Sequence, residues 1–227
     1  MRIIELQTDF GDFLLDIRDK QFQCGLIHGL IGPNGCGKTT FAKLIMGTVP
    51  ARCKNINYEG LTARDMTMTT QKPYMMYDTV YNNLVYPLKL RGITPGKAEV
   101  DRWLSLCGLE EKRNKPARGL SSGQQQKLSL ARALIFCPKL VIIDENLSNL
   151  DLDSIELFEA EIMRIQKAAP ITWIIISHQP AHVRRLCDVV HFMDKGRILK
   201  SGSPADLLTA PTEAELVRFI SREALHL

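Results

Sequence analysis

GLIHGLIGPNGCGKTTF, residues 25–41, is the stretch on which the reading of this chain turns. Residues 32–39, GPNGCGKT, meet every fixed position of G-x-x-x-x-G-K-[ST]. At average residue frequencies, such a match arises by chance about once in a hundred chains of this length. Its context is the one the mechanism needs: an apolar strand-like run before it, and after it TTFAKLIMG, with helical spacing and a glycine stop. Glycines let backbone N–H groups curl into a nest around phosphate oxygens, and a helix N-terminus adds partial positive charge. Gly32, Pro33, Asn34, Gly35, Cys36, Gly37, Lys38, Thr39 and Thr40 are the candidate phosphate binders. The Lys38 ammonium would reach the β- and γ-phosphates, and the Thr39 hydroxyl would hold Mg²⁺. The chain is expected to bind a nucleoside triphosphate.

Working outward, LVIID (140–144) and ITWIIIS (171–177) are apolar almost throughout, as parallel strands covered on both faces are. RIIEL and FLLDI read as further strands near the start, and VVHFMD with RILKSG as a hairpin turning at Lys195 and Gly196. AEVDRWLSLCGL (98–109) and QQQKLSLARALIF (124–136) have helical spacing. The expectation is one α/β domain of P-loop, RecA-like type with an antiparallel β subdomain. Residues 1–71 and 138–227 form its nucleotide-binding core, with strands at both ends of the chain, and 72–137 an inserted helical subdomain. The tail 203–227 reads as one or two amphipathic helices.

Composition narrows the class. The chain has 227 residues, 45% of them hydrophobic and 24% charged, as in ordinary soluble proteins. A net charge of +4 without a block of like charges gives no electrostatic footprint for nucleic acid. The cysteines, Cys24, Cys36, Cys53, Cys107, Cys137 and Cys187, include no C-x-x-C pair and read as thiols of a reducing compartment. The start lacks a secretory h-region, and no apolar run reaches 18 residues. A cytosolic location is expected.

Asp144 ends an apolar strand, where it could bind Mg²⁺, and Glu145 follows it, placed to polarise a water in line with the γ-phosphate. LSSGQQQK at 120–127 is a capping box: Ser121 caps a helix and Gln124 reciprocates, with Leu120 in the position of a hydrophobic staple.

The phosphate loop, Leu120-Ser121-Ser122-Gly123-Gln124, LVIIDE at 140–145 and a histidine after a strand at His178 occur in that order along nearly the whole chain. The series resembles the ATP-binding-cassette (ABC) ATPases, whose signature LSGGQ differs here only at Ser122. The resemblance implies two ATP molecules sandwiched in a head-to-tail dimer, the segment 121–124 of one copy meeting the γ-phosphate held by the other. It implies that Gln71 touches Mg²⁺ and the attacking water, and that His178 contacts the γ-phosphate. Ser148-Asn149-Leu150-Asp151 is similar to the family's D-loop, with Asp151 at its end, although Asn146 and Leu147 replace the usual Pro-Thr. Phe10 fits the family's aromatic-Gly pattern for stacking on adenine, with Phe13 the competitor.

Hydrolysis also needs a load. Tyr74, Met75, Met76 and Tyr77 make a soft, adaptable cluster where family members receive a helix of a membrane subunit. With no membrane segment of its own, the chain resembles the ATPase subunits of importers. They sit on the cytoplasmic face of the membrane beside separate permease subunits and a solute-binding protein, here for a small solute such as an oxyanion (tungstate or molybdate). A soluble mechanical ATPase acting on DNA or ribosomes is the alternative, and a P-loop kinase a more distant one that would have no use for LSSGQ.

Overall fold

A computed structural model describes residues 1–145, 150–209, 211 and 213–224. Strands β1 (Arg2–Asp9), β2 (Leu14–Gln21) and β4 (Cys53–Asn57) form an antiparallel sheet in the order β2-β1-β4. The second sheet joins β3 (Ile27–Ile31), β5 (Met66–Thr69), β6 (Leu140–Asp144), β7 (Thr172–Ile176), β8 (Val189–Asp194) and β9 (Arg197–Gly202). Its order is β5-β6-β7-β3-β8-β9, and only the final β8–β9 hairpin is antiparallel.

β3, β6 and β7 are buried along their whole lengths because the sheet is covered on both faces. Val141, Ile143, Trp173 and Ile175 point into one core with most of the helices. Leu140, Ile142, Ile174 and Ile176 point into the other, shared with α1 (Lys38–Met46) and the antiparallel sheet. Helix α1 ends where expected, at Gly47 in a left-handed cap.

Between β5 and β6 lie α2 (Val80–Leu90), α3 (Lys97–Cys107) and α4 (Ser122–Leu134). Their apolar residues join the same cluster as Ile143 and Trp173, so the helical insert shares its core with the sheet. Ser121 and Gln124 form the expected capping box on α4. The staple does not form: the facing position is Gln125, whose amide donates to the Leu120 carbonyl at 3.1 Å, while the Leu120 side chain joins the main core.

The C-terminal segment is less purely β than expected. Helices α5 (Leu152–Ala168) and α6 (Pro180–Leu186) follow β6 and β7, because parallel neighbours need a crossover. The tail carries α7 (Pro204–Leu208) and α8 (Ala214–Ala224). β4 and β5 also went unanticipated, their alternation of small polar and apolar residues being too short to stand out. Among the described residues no helix is long and apolar enough to cross a membrane.

Candidate nucleotide-binding site

The parallel strands β5, β6, β7 and β3 end at one edge of the sheet, the edge at which open α/β sheets bind ligands. Each end delivers a piece of the site. β3 runs into the phosphate loop, where Gly32 is required by space as well as by φ, and Gly37 by φ with a side chain close against it. A Cβ on Gly32 (φ 151°) would lie 2.0 Å from the Met193 carbonyl oxygen, and one on Gly37 (φ 108°) 2.7 Å from Phe13 Cζ. The Lys38 ammonium is buried and donates to the Gly32 and Pro33 carbonyls at 2.7 and 3.0 Å, which holds the loop curled. The first N–H groups of α1 have no acceptor within the helix and are oriented to receive an anion.

A cleft of about 420 Å³ lies over this loop, walled by Gly37, Lys38, Thr39 and Thr40, by Gln71 and Glu145, and by Phe13. A wider cavity of about 700 Å³ continues from it past Pro33–Cys36 to Asp194, Lys195 and Arg197.

Asp144 is buried at the end of β6, and burial pushes its carboxyl up from the ordinary range, opposed by the Thr39 hydroxyl and reinforced by the neighbouring charge of Glu145. Glu145 sits at φ 50°, its N–H bonded to the Ile176 carbonyl at 3.1 Å. That left-handed backbone is uncommon for a non-glycine residue and turns the chain out of the strand. The Gln71 amide donates to Glu145 Oε2 at 3.0 Å, and His178 Nδ1 lies 3.8 Å from Oε1. Gln71, Glu145 and His178, far apart in sequence, thus converge beside the phosphate loop.

Other expected residues lie elsewhere. Phe10 is 55% exposed at the tip of the β1–β2 hairpin and lines neither cavity; Phe13, from the same hairpin, covers Gly37 and lines both. Residues 121–124 sit at the solvent-facing start of α4 and line neither cavity of this copy. Asp151 caps α5 by accepting from the Ser154 N–H at 2.9 Å, while Asn146, Leu147, Ser148 and Asn149 fall outside the described residues.

The cluster after Gln71 divides. Met75 is buried in the helical insert, so it fills core instead of presenting a contact surface, whereas Tyr74 and Tyr77 are exposed and Met76 is half-buried. Sequence reading missed what holds this segment. Asn83, fully buried on α2, accepts from the Met76 N–H at 3.0 Å and donates to the Thr79 carbonyl at 2.9 Å. Arg132 of α4 donates to Asn83 Oδ1 at 3.1 Å and to the Tyr74 carbonyl at 2.6 Å, and Arg118 stacks 3.3 Å from the Tyr77 ring centroid. A polar residue at a core-facing position of α2 was the one available signal.

The family model described as "ABC transporter" matches residues 16–148. The chain belongs to this family. Among its relatives, the tungstate uptake system ATP-binding protein TupC of Peptoclostridium acidaminophilum is 36% identical over 194 residues, covering 83% of this chain and 91% of that protein. The methionine import ATP-binding protein MetN 1 of Listeria monocytogenes is 32% identical over 88% of this chain, which spans 64% of that protein's length. The spermidine/putrescine import ATP-binding protein PotA of Clostridioides difficile is 33% identical over 94% of this chain, which spans 63% of it. A solved ATP-binding subunit of an ABC transporter superposes with a TM-score of 0.82 over 98% of both chains at 24% identity, a likeness of fold. This member of the ABC transporter family is an ATP-binding subunit and an ATPase, the class of subunit that powers transport.

Proposed function

We propose that the chain is the energy-coupling subunit of an importer, working as one of a head-to-tail pair that sandwiches two ATP molecules at the cytoplasmic face of the membrane. The observation that carries this reading is the meeting of Gln71 and Glu145 in the cleft above Lys38 and Thr39, with His178 3.8 Å from Glu145. Phosphoryl transfer to water needs positioning and charge neutralisation more than covalent help. The Glu145 carboxylate orients and polarises the water, Lys38 and the N–H groups of α1 hold the phosphates, and His178 donates to the γ-phosphate.

Mg²⁺ fits the donors present, which are the hard oxygens of Thr39, Asp144 and the Gln71 amide, Asp144 being a buried carboxylate at the strand end. When bound, it supplies neutralisation of phosphate charge. The exposed start of α4, with Ser121, Ser122, Gly123 and Gln124, meets the ATP of the second copy, and Asp151 faces the same junction. Separate permease subunits dock on the segment of Tyr74, Met76 and Tyr77, and a solute-binding protein delivers the solute. A small oxyanion is the favoured cargo, supported by the 36% identity to a tungstate uptake protein.

Glu145→Gln tests this. The isosteric amide keeps ATP binding and lowers turnover at least about 10²-fold, and size-exclusion chromatography with ATP then recovers a trapped dimer. A monomeric variant hydrolysing ATP at the wild-type rate would refute both the role of Glu145 and the sandwich.

A further inference from the structure

Glu145 and His178 follow the paired parallel strands β6 and β7, and the Glu145 N–H bonds to the Ile176 carbonyl at 3.1 Å, so pairing fixes the two backbones and leaves the directions of the side chains to what packs around them. The chain after Glu145 leads to α5, capped by Asp151, and the chain after His178 leads directly into α6 at Pro180. Where α6 sits, held against α5, therefore bears on how the His178 side chain meets Glu145. Glu159, buried on α5, joins the helices: His182 Nδ1 of α6 lies 2.9 Å from its Oε1 and Arg185 Nη2, also of α6, 2.7 Å from its Oε2. Burial alone would push the Glu159 carboxyl up, but its hydrogen bonds to His182 and Arg185 outweigh that and hold it below its ordinary value. A buried carboxylate with two cationic or N–H partners is costly to separate from either one.

His182 links this cluster to the neighbourhood of Glu145. Glu145, Ser177, Gln179 and His182 line one cavity of about 10 Å³, space for roughly one water. We propose that Glu159, His182 and Arg185 act as a pin that fixes the 3.8 Å approach of Glu145 to His178, which makes His182 a positioning residue for ATP hydrolysis. The proposal rests on the reading of Glu145 and His178 as the groups that act on the water and the γ-phosphate.

The test measures ATP affinity and turnover separately on the purified full chain. Misplacing a reacting group by about 1 Å costs up to about 10²-fold, and a loosened pin falls short of that. His182→Leu and Glu159→Gln should each lower kcat about tenfold while the Kd for ATP stays within about twofold. His182→Asn, whose amide N–H replaces the Nδ1–H, should recover most of the rate. In a His178→Ala background His182→Leu should cost little more, since residues acting through one another are non-additive. Arg185→Met repeats the test if His182→Leu does not fold.

Unchanged kcat in His182→Leu and Glu159→Gln would overturn the pin, as would a full tenfold loss persisting without His178. Wild-type turnover in Glu145→Gln is a different failure: it removes the functional reading itself, and the pin with it.

Discussion

His191→Gln should remove much of the chain's loss of stability between pH 7 and pH 5. His191 is buried on β8, its Nε2 3.1 Å from Nδ1 of the buried His28 on β3, whose own Nε2 lies 3.0 Å from the Gln23 carbonyl. A carbonyl only accepts, so His28 Nε2 carries a proton and, in the neutral ring, Nδ1 accepts. His191 Nε2–H must then donate to it, and His191 Nδ1 accepts from the Ser201 hydroxyl at 2.7 Å. The neutral chain is fully satisfied. Burial, with lesser help from His28 and Lys20, lowers the His191 pKa from 6.5 to about 3, and burial lowers that of His28 as well. The unfolded chain therefore binds these protons first. The contribution is present above about pH 6.5 and is lost as pH falls toward 3. At about 1.4 kcal/mol per pH unit below 6.5, His191 alone accounts for a loss of about 2 kcal/mol between pH 7 and 5. For a domain of this size that is a drop in Tm of about 4–8 °C. Urea unfolding at pH 7, 6 and 5 measures it, and the Gln variant should show a flatter profile. An equal loss in wild type and variant would refute the buried neutral pair.

Two further outcomes are expected. Lys38→Ala should weaken ATP binding, because a charge-assisted phosphate contact disappears, and unchanged affinity in an equilibrium titration would contradict its role. Phe13→Ala should raise the Kd for ATP, losing base stacking worth about 1–3 kcal/mol, whereas Phe10→Ala should leave it nearly unchanged; the opposite ranking in a nucleotide fluorescence titration would return the adenine contact to Phe10.

The strongest local signals were also the most legible. The phosphate loop was readable because its chemistry is contiguous: glycines, lysine and threonine must be neighbours to wrap one phosphate. β6 and β7 were readable because strands buried on both faces leave uninterrupted apolar runs. Phe10 and Phe13 show where this stops. Both are aromatic residues of one hairpin, and only the turn, with the Phe10 N–H bonded to the Phe13 carbonyl at 2.9 Å, decides which ring covers the loop. Met75 and Tyr77 differ likewise, because burial on a short irregular segment has no period to reveal it.

From sequence alone come the phosphate loop, the Ser121–Gln124 cap and the identity of Asp144 and Glu145 at a strand end, all of which depend on neighbours a few residues apart. The meeting of Gln71, Glu145 and His178, the neutral chain through His28, His191 and Ser201, and the joining of α5 to α6 by Glu159 belong to the tertiary structure. Each joins residues from different elements. Their contacts depend on strand order and helix docking, which the packing of the whole core sets and no local run of sequence contains.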